Sequence, residues 1–348
     1  MLNIDHRINA FVRLGVELQS HLSDWENNSS SLLSGIIKEA HESNPWFTIP
    51  DQLMALNAIA AMLTPSSLEK WISSYDVMTH PKKIGVVMAG NIPAVGFHDF
   101  LCTLISGHRL IARCSSNDSV LMRFISDELV RIEPRMAASI RFADKLNDAD
   151  AYIATGSDNT ARYFEYYFRK HPHIIRNNRS GIAILTGNET DKELALLGKD
   201  IFSYFGLGCR NVSKLYVPPQ YDFNRFFSSM QGFASVMNHH KYMSNYDYHR
   251  AVLLLNKEKF LTNNFLIVKE SRLISSPVSV LHYEWYSDET AALKIPDIES
   301  EKIQCIVSHS EKIKNRIDFG NAQSPRLNDY ADGVDTMKFL TSAFASAN

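Results

Sequence analysis

Short apolar runs typical of strands alternate with longer stretches typical of helices over most of this chain, and this alternation constrains its fold more than any other feature. KIGVVMAG, which begins at Lys83, precedes the apolar helix AVGFHDFLCTLISG. HRLIAR precedes the amphipathic helix NDSVLMRFISDELVRI, for which Asn117 and Asp118 are the expected cap. Strand and helix repeated in this way predict βαβ units and a largely parallel sheet.

The same alternation divides the 348 residues into four regions. SIRFA, DAYIAT and GIAIL extend the first set of strands, and VLLLN, FLIVK, SVLHY and IQCIVS are interpreted as strands of a second α/β domain. The predicted regions are a helical N-terminal region at 1–75, a doubly wound α/β domain at 76–193, a second α/β domain at 194–322 and a C-terminal segment at 323–348.

Composition and charge exclude several classes of function. Lys and Arg number 36 against 38 Asp and Glu, and no polybasic stretch stands out, so the chain has no electrostatic footprint for nucleic acid. Its four cysteines form no CxxC pair, which argues against a zinc ribbon and a disulfide framework and favours a reducing compartment. Because no signal peptide or bilayer-spanning apolar run is recognised, we expect a soluble, cytoplasmic protein.

Two residues stand out as candidates for chemistry. Cys209 lies in FGLGCRN, where two glycines leave its surroundings open and Arg210 offers a cation that favours a reactive thiolate. The alternative is a small buried hydrophobe, the commoner role of a lone cysteine. Asn91, in AGNIP at the end of the first strand, is placed to donate its amide to an oxyanion or, alternatively, to serve as a turn or cap residue.

A third candidate ends another predicted strand. Thr155, Gly156 and Ser157 precede a helix, where exposed backbone N–H groups receive phosphate, although ordinary capping by Ser157 explains the same pattern. His239, His240 and His249 lack a matched ligand spacing, and we predict no metal site.

Taken in order, these segments resemble the aldehyde dehydrogenase superfamily, and most closely its acyl-CoA reductase branch, the LuxC-like fatty acyl reductases. The resemblance covers about residues 45–340. It is carried by the Asn-x-Pro turn at Asn91, the strand ending Arg113-Cys114-Ser115, the Thr-Gly-Ser helix opening, the Gly-x-x-Cys segment at Cys209 and the late stretch FGNAQSPRLNDYADG.

The resemblance implies an α/β fold of the aldehyde dehydrogenase type, in which the first domain is a Rossmann-type cofactor domain and the second carries the catalytic Cys209. Cys209 would attack an acyl carbon, and Asn91 with the Cys209 backbone N–H would form the oxyanion hole. The cofactor would contact residues that follow three strands: Ala89, Gly90, Arg113, Ser115, Ser116, Thr155, Gly156 and Ser157.

Two departures from the family pattern refine the expected reaction. Aldehyde-oxidising members carry a water-activating glutamate, whereas the matching segment here, Arg176–Arg179, has no carboxylate, which favours reduction of a thioester. Glu165 or Glu189 remains an alternative base. Ser116 replaces the glutamate that holds the ribose hydroxyls in NAD-preferring members, which favours NADPH over NADH.

The resemblance also implies partners. They are an acyl-CoA or acyl-protein substrate, an acyl-protein synthetase that delivers the acyl group, and further copies of the chain in a homo-oligomer. Two alternatives remain open: an aldehyde or acyl-phosphate dehydrogenase of the same fold, or an acyl-holding subunit that lacks reductase activity.

Overall fold

The computed structural model describes residues 2–28, 30–77, 80–156 and 158–342. The chain forms two compact units, one made of Met1–Asn177 and Arg326–Asn348 and the other of Asn178–Pro325. Each contains a mainly parallel sheet with helices, which confirms the predicted α/β class. Among the described residues, no helix combines the length and apolar character needed to cross a bilayer.

The first unit opens with four helices: α1 (Ile4–Asn27), α2 (Leu32–Ser43), α3 (Ile49–Met62) and α4 (Pro65–Ile72). Each begins at a side chain that accepts a hydrogen bond from a backbone N–H of the first turn, a role that short polar residues favour. The four caps are Asn3, Ser31, Thr48 and Thr64. This region confirms the predicted helical N-terminus.

The sheet of the first unit has five parallel strands in the order β3-β2-β1-β4-β5. Its order reverses on either side of β1, which is the doubly wound pattern. The strands are β1 (Lys83–Val87), β2 (Arg109–Arg113), β3 (Ile140–Phe142), β4 (Ala151–Thr155) and β5 (His173–Arg176), and the helices between them are α5 (Phe97–Ile105), α6 (Val120–Ile132) and α7 (Asp158–Phe168).

The second unit has seven strands in the order β12-β11-β6-β7-β10-β9-β8, all parallel except the β8–β9 pair. The strands are β6 (Ser180–Ile184), β7 (Val212–Val217), β8 (Leu261–Thr262), β9 (Ile267–Glu270), β10 (Val280–Trp285), β11 (Ile303–Ser308) and β12 (Arg316–Ile317). The helices are α8 (Asp191–Phe202), α9 (Phe223–Met230), α10 (His240–Leu255) and α11 (Glu289–Ile298).

The C-terminal segment belongs to the first unit. It contains the last helix, α12 (Thr336–Ser342), and its buried side chains Met337 and Leu340 join the core that α1 and α5 form with β1 and β2. Tyr330 extends this core, because its hydroxyl accepts a hydrogen bond from Trp71 Nε1 at 2.8 Å. The unit is therefore built from both ends of the chain.

Two local predictions differ from the structure. The run VLLLN was predicted as a strand, but Val252–Leu255 form the last turn of α10, because a short apolar run is compatible with a helix as well as with a strand. The predicted division lay at 193, whereas the chain leaves the first unit after Asn177, since β6 pairs with β7 and β11 of the second sheet.

Candidate active site

Three adjacent strands of the first sheet end at one edge. Val87, the last residue of β1, lies opposite Arg113 of β2 and Ala154 of β4. Residues that follow these strands are therefore gathered at the edge where parallel sheets bind ligands. All the predicted cofactor residues that the structure describes lie there: Ala89, Gly90, Arg113, Ser115, Ser116, Thr155 and Gly156. Ser157, predicted with them, lies outside the described residues.

Gly90 allows the closest approach at this edge. A Cβ atom on Gly90 would lie 2.5 Å from Ser115 Oγ and 2.6 Å from Ser115 Cβ, so only glycine fits without displacement. Ser115 Oγ in turn accepts a hydrogen bond from the Asn117 backbone N–H at 3.2 Å. The two loops therefore form a shallow cradle of small residues, with the exposed Arg113 and Ser116 beside it. Such a cradle fits a dinucleotide, whose phosphates need close access to backbone N–H groups.

Asn91 is exposed in the turn between β1 and α5. The same turn contains Ala94 in the left-handed region, at φ 53°, which is unusual for a residue other than glycine. A buried carboxylate lies behind it: Asp118 is 3% exposed, burial raises its pKa to about 8, and the backbone N–H groups of Ala94 and Val95 oppose that rise. Asp118 was predicted to cap α6, but that prediction is wrong, since the capping position is Ser119 and it makes no side-chain capping bond.

Cys209 is the exposed cysteine of the second unit and lies in the loop that leads into β7. The other three cysteines are less accessible, with Cys102 and Cys305 buried and Cys114 half-buried. Burial raises the pKa of the Cys102 thiol and raises that of Cys114 to about 11, which disfavours their thiolates. Exposure therefore favours the nucleophile hypothesis for Cys209 over the buried-hydrophobe alternative.

The residues around Cys209 are held by one buried amide, that of Asn211, which is 2% exposed. Its Nδ2 donates to the carbonyls of Asp200 at 3.0 Å and Ser203 at 2.8 Å, which lie at the end of α8 and have no partner within that helix. Its Oδ1 accepts from the Gly208 N–H at 2.8 Å. The loop that carries Cys209 is thus tied to α8 at both ends.

The backbone before this loop is strained. Tyr204, Phe205 and Gly206 all have positive φ, at 50°, 55° and 78°. Two successive residues other than glycine in the left-handed region cost roughly 1–3 kcal/mol each and persist only where the surroundings impose them. The bonds of Asn211 supply that constraint. This sharp change of direction takes the chain from α8 to Cys209.

The segment Arg176–Arg179, which lacks the family's water-activating glutamate, has a structural role. Arg176, at the end of β5, is buried and forms an ion pair with both oxygens of Asp99 on α5, one of them at 2.8 Å, and also donates to Thr336 Oγ1 at 2.9 Å. No carboxylate of this segment is therefore available as a water-activating base. Both terminal nitrogens of the guanidinium bind Asp99 of α5, and one of them also binds Thr336 of α12.

The two alternative general bases, Glu189 and Glu165, each contact other groups of the protein. Glu189 follows β6, and its carboxylate accepts from Thr186 and Gly187 backbone N–H groups at 2.5 and 3.0 Å. Because β6 and β7 are parallel, Glu189 lies at the carboxyl edge of the sheet and Cys209 at the amino edge. Glu165 is an exposed residue of α7, and its carboxylate lies 3.4 Å from His173 Nε2. Glu189 is therefore excluded as the partner of Cys209.

Among the described residues, one group has metal-ligand chemistry: Glu17, His21 and Glu128, whose ligand atoms lie within 4.8 Å of one another. Arg131 already occupies this group, since its guanidinium is 2.7 Å from Glu128 and 3.1 Å from Glu17. His21 Nε2 lies 3.0 Å from Glu128 as well. The cluster is an ion-pair network that joins α1 to α6.

Sequence reasoning missed three buried polar residues behind the candidates: Asp118, Asp200 and Asn211. Asp118 precedes a predicted helix, where an acid is expected to be an exposed cap, and Asp200 is a charged residue on a predicted amphipathic helix, where an exposed position is expected. Closeness in sequence to a candidate site could have pointed to two of them, since Asn211 is two residues from Cys209 and Asp118 is three residues from Ser115.

No protein-family model matches this chain, and no curated protein matches it either. Solved structures share its fold. Aldehyde dehydrogenase 21 from Physcomitrella patens, in complex with succinate, is 11% identical, with a TM-score of 0.67 over 98% of this chain and 84% of that one. A putative methylmalonate-semialdehyde dehydrogenase from Sinorhizobium meliloti 1021, complexed with NAD, is 11% identical, with a TM-score of 0.63 over the same shares.

A third structure, the Mycobacterium tuberculosis aldehyde dehydrogenase complexed with NAD⁺, is 11% identical, with a TM-score of 0.62 over 92% of this chain and 76% of that one. These similarities confirm the predicted aldehyde dehydrogenase-like fold, with its helical N-terminal region and Rossmann-like sheet. At this level of identity they establish the fold alone.

Proposed function

We propose that this protein is a cytoplasmic oxidoreductase that reduces an acyl thioester to an aldehyde through an acyl-enzyme on Cys209. The observation that carries the proposal is the position of Cys209, an exposed thiol on a loop whose neighbours on both sides are fixed by Asn211. A nucleophile must be accessible and preorganised, and this loop meets both requirements.

In the proposed reaction, the Cys209 thiolate attacks the acyl carbon, and the bond from that carbon to the leaving thiolate breaks. The side-chain amide of Asn91 and the backbone N–H of Cys209 would stabilise the oxyanion of the tetrahedral intermediate. The acyl group is then held as a thioester on Cys209. Arg210, the next residue, favours the thiolate both before acylation and when Cys209 departs as the aldehyde is released.

The cradle at Gly90 and Ser115 would hold the cofactor, with Ala89, Ser116, Thr155 and Gly156 beside it. When bound, NADPH supplies the hydride that reduces the thioester on Cys209 to the aldehyde level. Arg113 is exposed at the end of β2 and offers a cation to a 2′-phosphate, and Ser116 stands where NAD-preferring members have a glutamate, which supports NADPH over NADH.

The engagement of Arg176 with Asp99 supports reduction over aldehyde oxidation. An acyl-enzyme without a nearby general base hydrolyses slowly and persists until it is reduced. We also propose that the acyl group arrives from acyl-CoA or an acyl-protein, delivered in the latter case by an acyl-protein synthetase, and that the chain works as a homo-oligomer.

The test is the intact mass of the purified protein after exposure to acyl-CoAs of mixed length, before and after addition of NADPH. We expect an acyl adduct that maps to Cys209 and disappears with NADPH as aldehyde forms. Cys209→Ser should abolish the adduct and Cys114→Ser should leave it unchanged. Asn91→Ala should slow acylation on the order of a hundredfold, as loss of an oxyanion donor does, whereas the exposed Asn57→Ala should not.

Other outcomes would assign another function. An adduct that persists with NADPH would identify an acyl-holding subunit. An adduct formed only from an acyl phosphate, or activity only in the direction of aldehyde oxidation, would identify a dehydrogenase of the same fold. No adduct from any acyl donor, protein-bound donors included, would reject the mechanism.

A further inference from the structure

Asp200 is a buried carboxylate on α8, 1% exposed, whose two oxygens both accept backbone hydrogen bonds. Oδ2 accepts from the Gly320 N–H at 2.7 Å and Oδ1 from the Ala322 N–H at 2.9 Å. Both donors lie in a loop far along the chain, in the stretch FGNAQSP. Asp200 therefore fixes the position of residues 320–322 against α8.

The same loop contacts the residue that follows Cys209. The carbonyl of Ala322 accepts a hydrogen bond from Arg210 Nε at 2.5 Å. The backbone carbonyl of Arg210 accepts a hydrogen bond from Cys305 Sγ at 3.5 Å, and it lies so close to Gly181 that a Cβ atom there would be only 2.7 Å away. A continuous chain of contacts therefore runs from the Asp200 carboxylate through Ala322 to the Arg210 guanidinium.

Asn211 provides a second connection between α8 and the Cys209 loop. Its side chain binds the Asp200 carbonyl and the Gly208 N–H, so α8 contacts the Cys209 loop directly as well as through residues 320–322. The direct route fixes the backbone around Cys209. The route through Ala322 fixes the direction of the Arg210 side chain, and hence the position of its positive charge.

We propose that Asp200 is a positioning residue that, through Gly320 and Ala322, holds the Arg210 guanidinium where it stabilises the Cys209 thiolate. Its importance for turnover rests on the proposed function, but its effect on the thiol itself does not. A carboxylate suits the task, because one group accepts from two N–H donors and its charge attracts Arg210 at the same time.

The charge state of Asp200 agrees with this role. Burial raises its pKa to about 6, while the N–H groups of Gly320 and Ala322, the Arg210 cation and the Lys199 cation on the same helix all favour the charged form. Above about pH 6 the carboxylate accepts both bonds with full charge. Below it, the protonated group is a weaker acceptor, and the restraint on residues 320–322 loosens.

The test measures alkylation of Cys209 by iodoacetamide between pH 5 and 9, followed by the mass of the Cys209 peptide and requiring neither substrate nor cofactor. In Asp200→Asn we expect the thiol pKa to rise by about one unit and the rate at pH 7 to fall about tenfold, because a displaced cation no longer favours the thiolate. The wild-type profile should show a second ionisation near pH 6 that the variant lacks.

Two controls isolate the route. Asp191→Asn makes the same chemical change on an exposed residue of the same helix and should leave the profile unchanged. Arg210→Met should reproduce the effect of Asp200→Asn, and the double variant should be no slower than either single one, since both remove the same interaction. Asp200→Ser, which keeps one acceptor oxygen, replaces Asp200→Asn if the latter does not fold.

Superimposable profiles for the wild type and the Asp200 variant would overturn the proposal, and so would fully additive effects of the Asp200 and Arg210 changes. Failure of the proposed function gives a different result. In that case Cys209 is alkylated as expected, with the dependence on Asp200, yet forms no adduct with any acyl donor.

Discussion

Gly90 brings the loop after β1 against Ser115, and the absence of its side chain shapes the proposed cofactor cradle. In Gly90→Ala the new Cβ atom would meet Ser115 Oγ and Cβ at 2.5 and 2.6 Å, so one of the two loops must move. We expect the dissociation constant for NADPH to rise about tenfold or more, as the loss of roughly 1.4 kcal/mol of binding energy implies. Fluorescence titration with NADPH measures it.

Gly35→Ala is the matched control, because no atom lies within 4 Å of the added Cβ on the exposed face of α2. It should bind NADPH normally. Adding Ser115→Gly to Gly90→Ala should recover part of the affinity by clearing the space. Unchanged binding in Gly90→Ala would show that the cofactor does not use this edge.

At the level of single residues, sequence reasoning found the groups that face solvent and missed those that support them. Cys209 and Asn91 stood out because each belongs to a short pattern with chemical meaning, and both are exposed. The buried carboxylate of Asp200 depends on partners 120 or more residues away, at Gly320 and Ala322. No local pattern carries that information. Whether Asn91 and Cys209 share the proposed oxyanion hole stays a prediction.

At the level of elements, the buried ion pair between Arg176 of β5 and Asp99 of α5 has a measurable role. Arg176→Met leaves the Asp99 carboxylate buried without its partner, and we expect the free energy of unfolding to fall by about 3–5 kcal/mol. Urea unfolding measures it. Arg141→Met, which breaks an ion pair between two exposed side chains, should cost about 1 kcal/mol or less.

The double variant Asp99→Asn with Arg176→Met removes both charges and should recover part of the lost stability. If the single Arg176→Met variant were as stable as the Arg141→Met control, the ion pair would contribute little to the fold. The claim that it holds α5 to β5 would then be wrong.

The elements themselves were largely predictable, since the alternation of apolar strands and helices from Lys83 onward was confirmed in both sheets. VLLLN shows the limit of such patterns. Its first four residues end α10, where Tyr242, Tyr246 and Leu253 are buried while Leu254 and Leu255 face solvent, so the apolar residues of this helix do not mark one face. A five-residue run contains too little of one turn to distinguish a helix from a strand.

At the scale of the whole molecule, the first unit depends on the segment from Arg326 onward. Deleting residues 326–348 removes Tyr330, Met337 and Leu340 from its core, together with the Leu327 carbonyl that accepts from His98 Nε2 at 2.9 Å. We expect the truncated protein to lose NADPH binding and its first unit to unfold at least 10 °C lower, since the loss of several kcal/mol lowers the melting temperature of a domain by this much.

Alkylation of Cys209 provides an internal reference for this truncation, because the side chains of Asp200 and Asn211 and the backbone of Gly320 and Ala322, which hold its loop, all belong to the second unit. Its rate should be retained while cofactor binding is lost. A truncated protein that melts like the full chain would show that the C-terminal segment is dispensable to the first unit.

The order in which the two units are completed follows from this chain path. During synthesis, all of residues 178–325 leave the ribosome before Trp71 can meet Tyr330, so the second unit has its full set of residues while the first still lacks part of its core. Domains fold as their residues become available. The second unit is thus free to fold first. The core of the first unit, which includes Leu68 and Trp71, stays incomplete while nearly 150 further residues are translated.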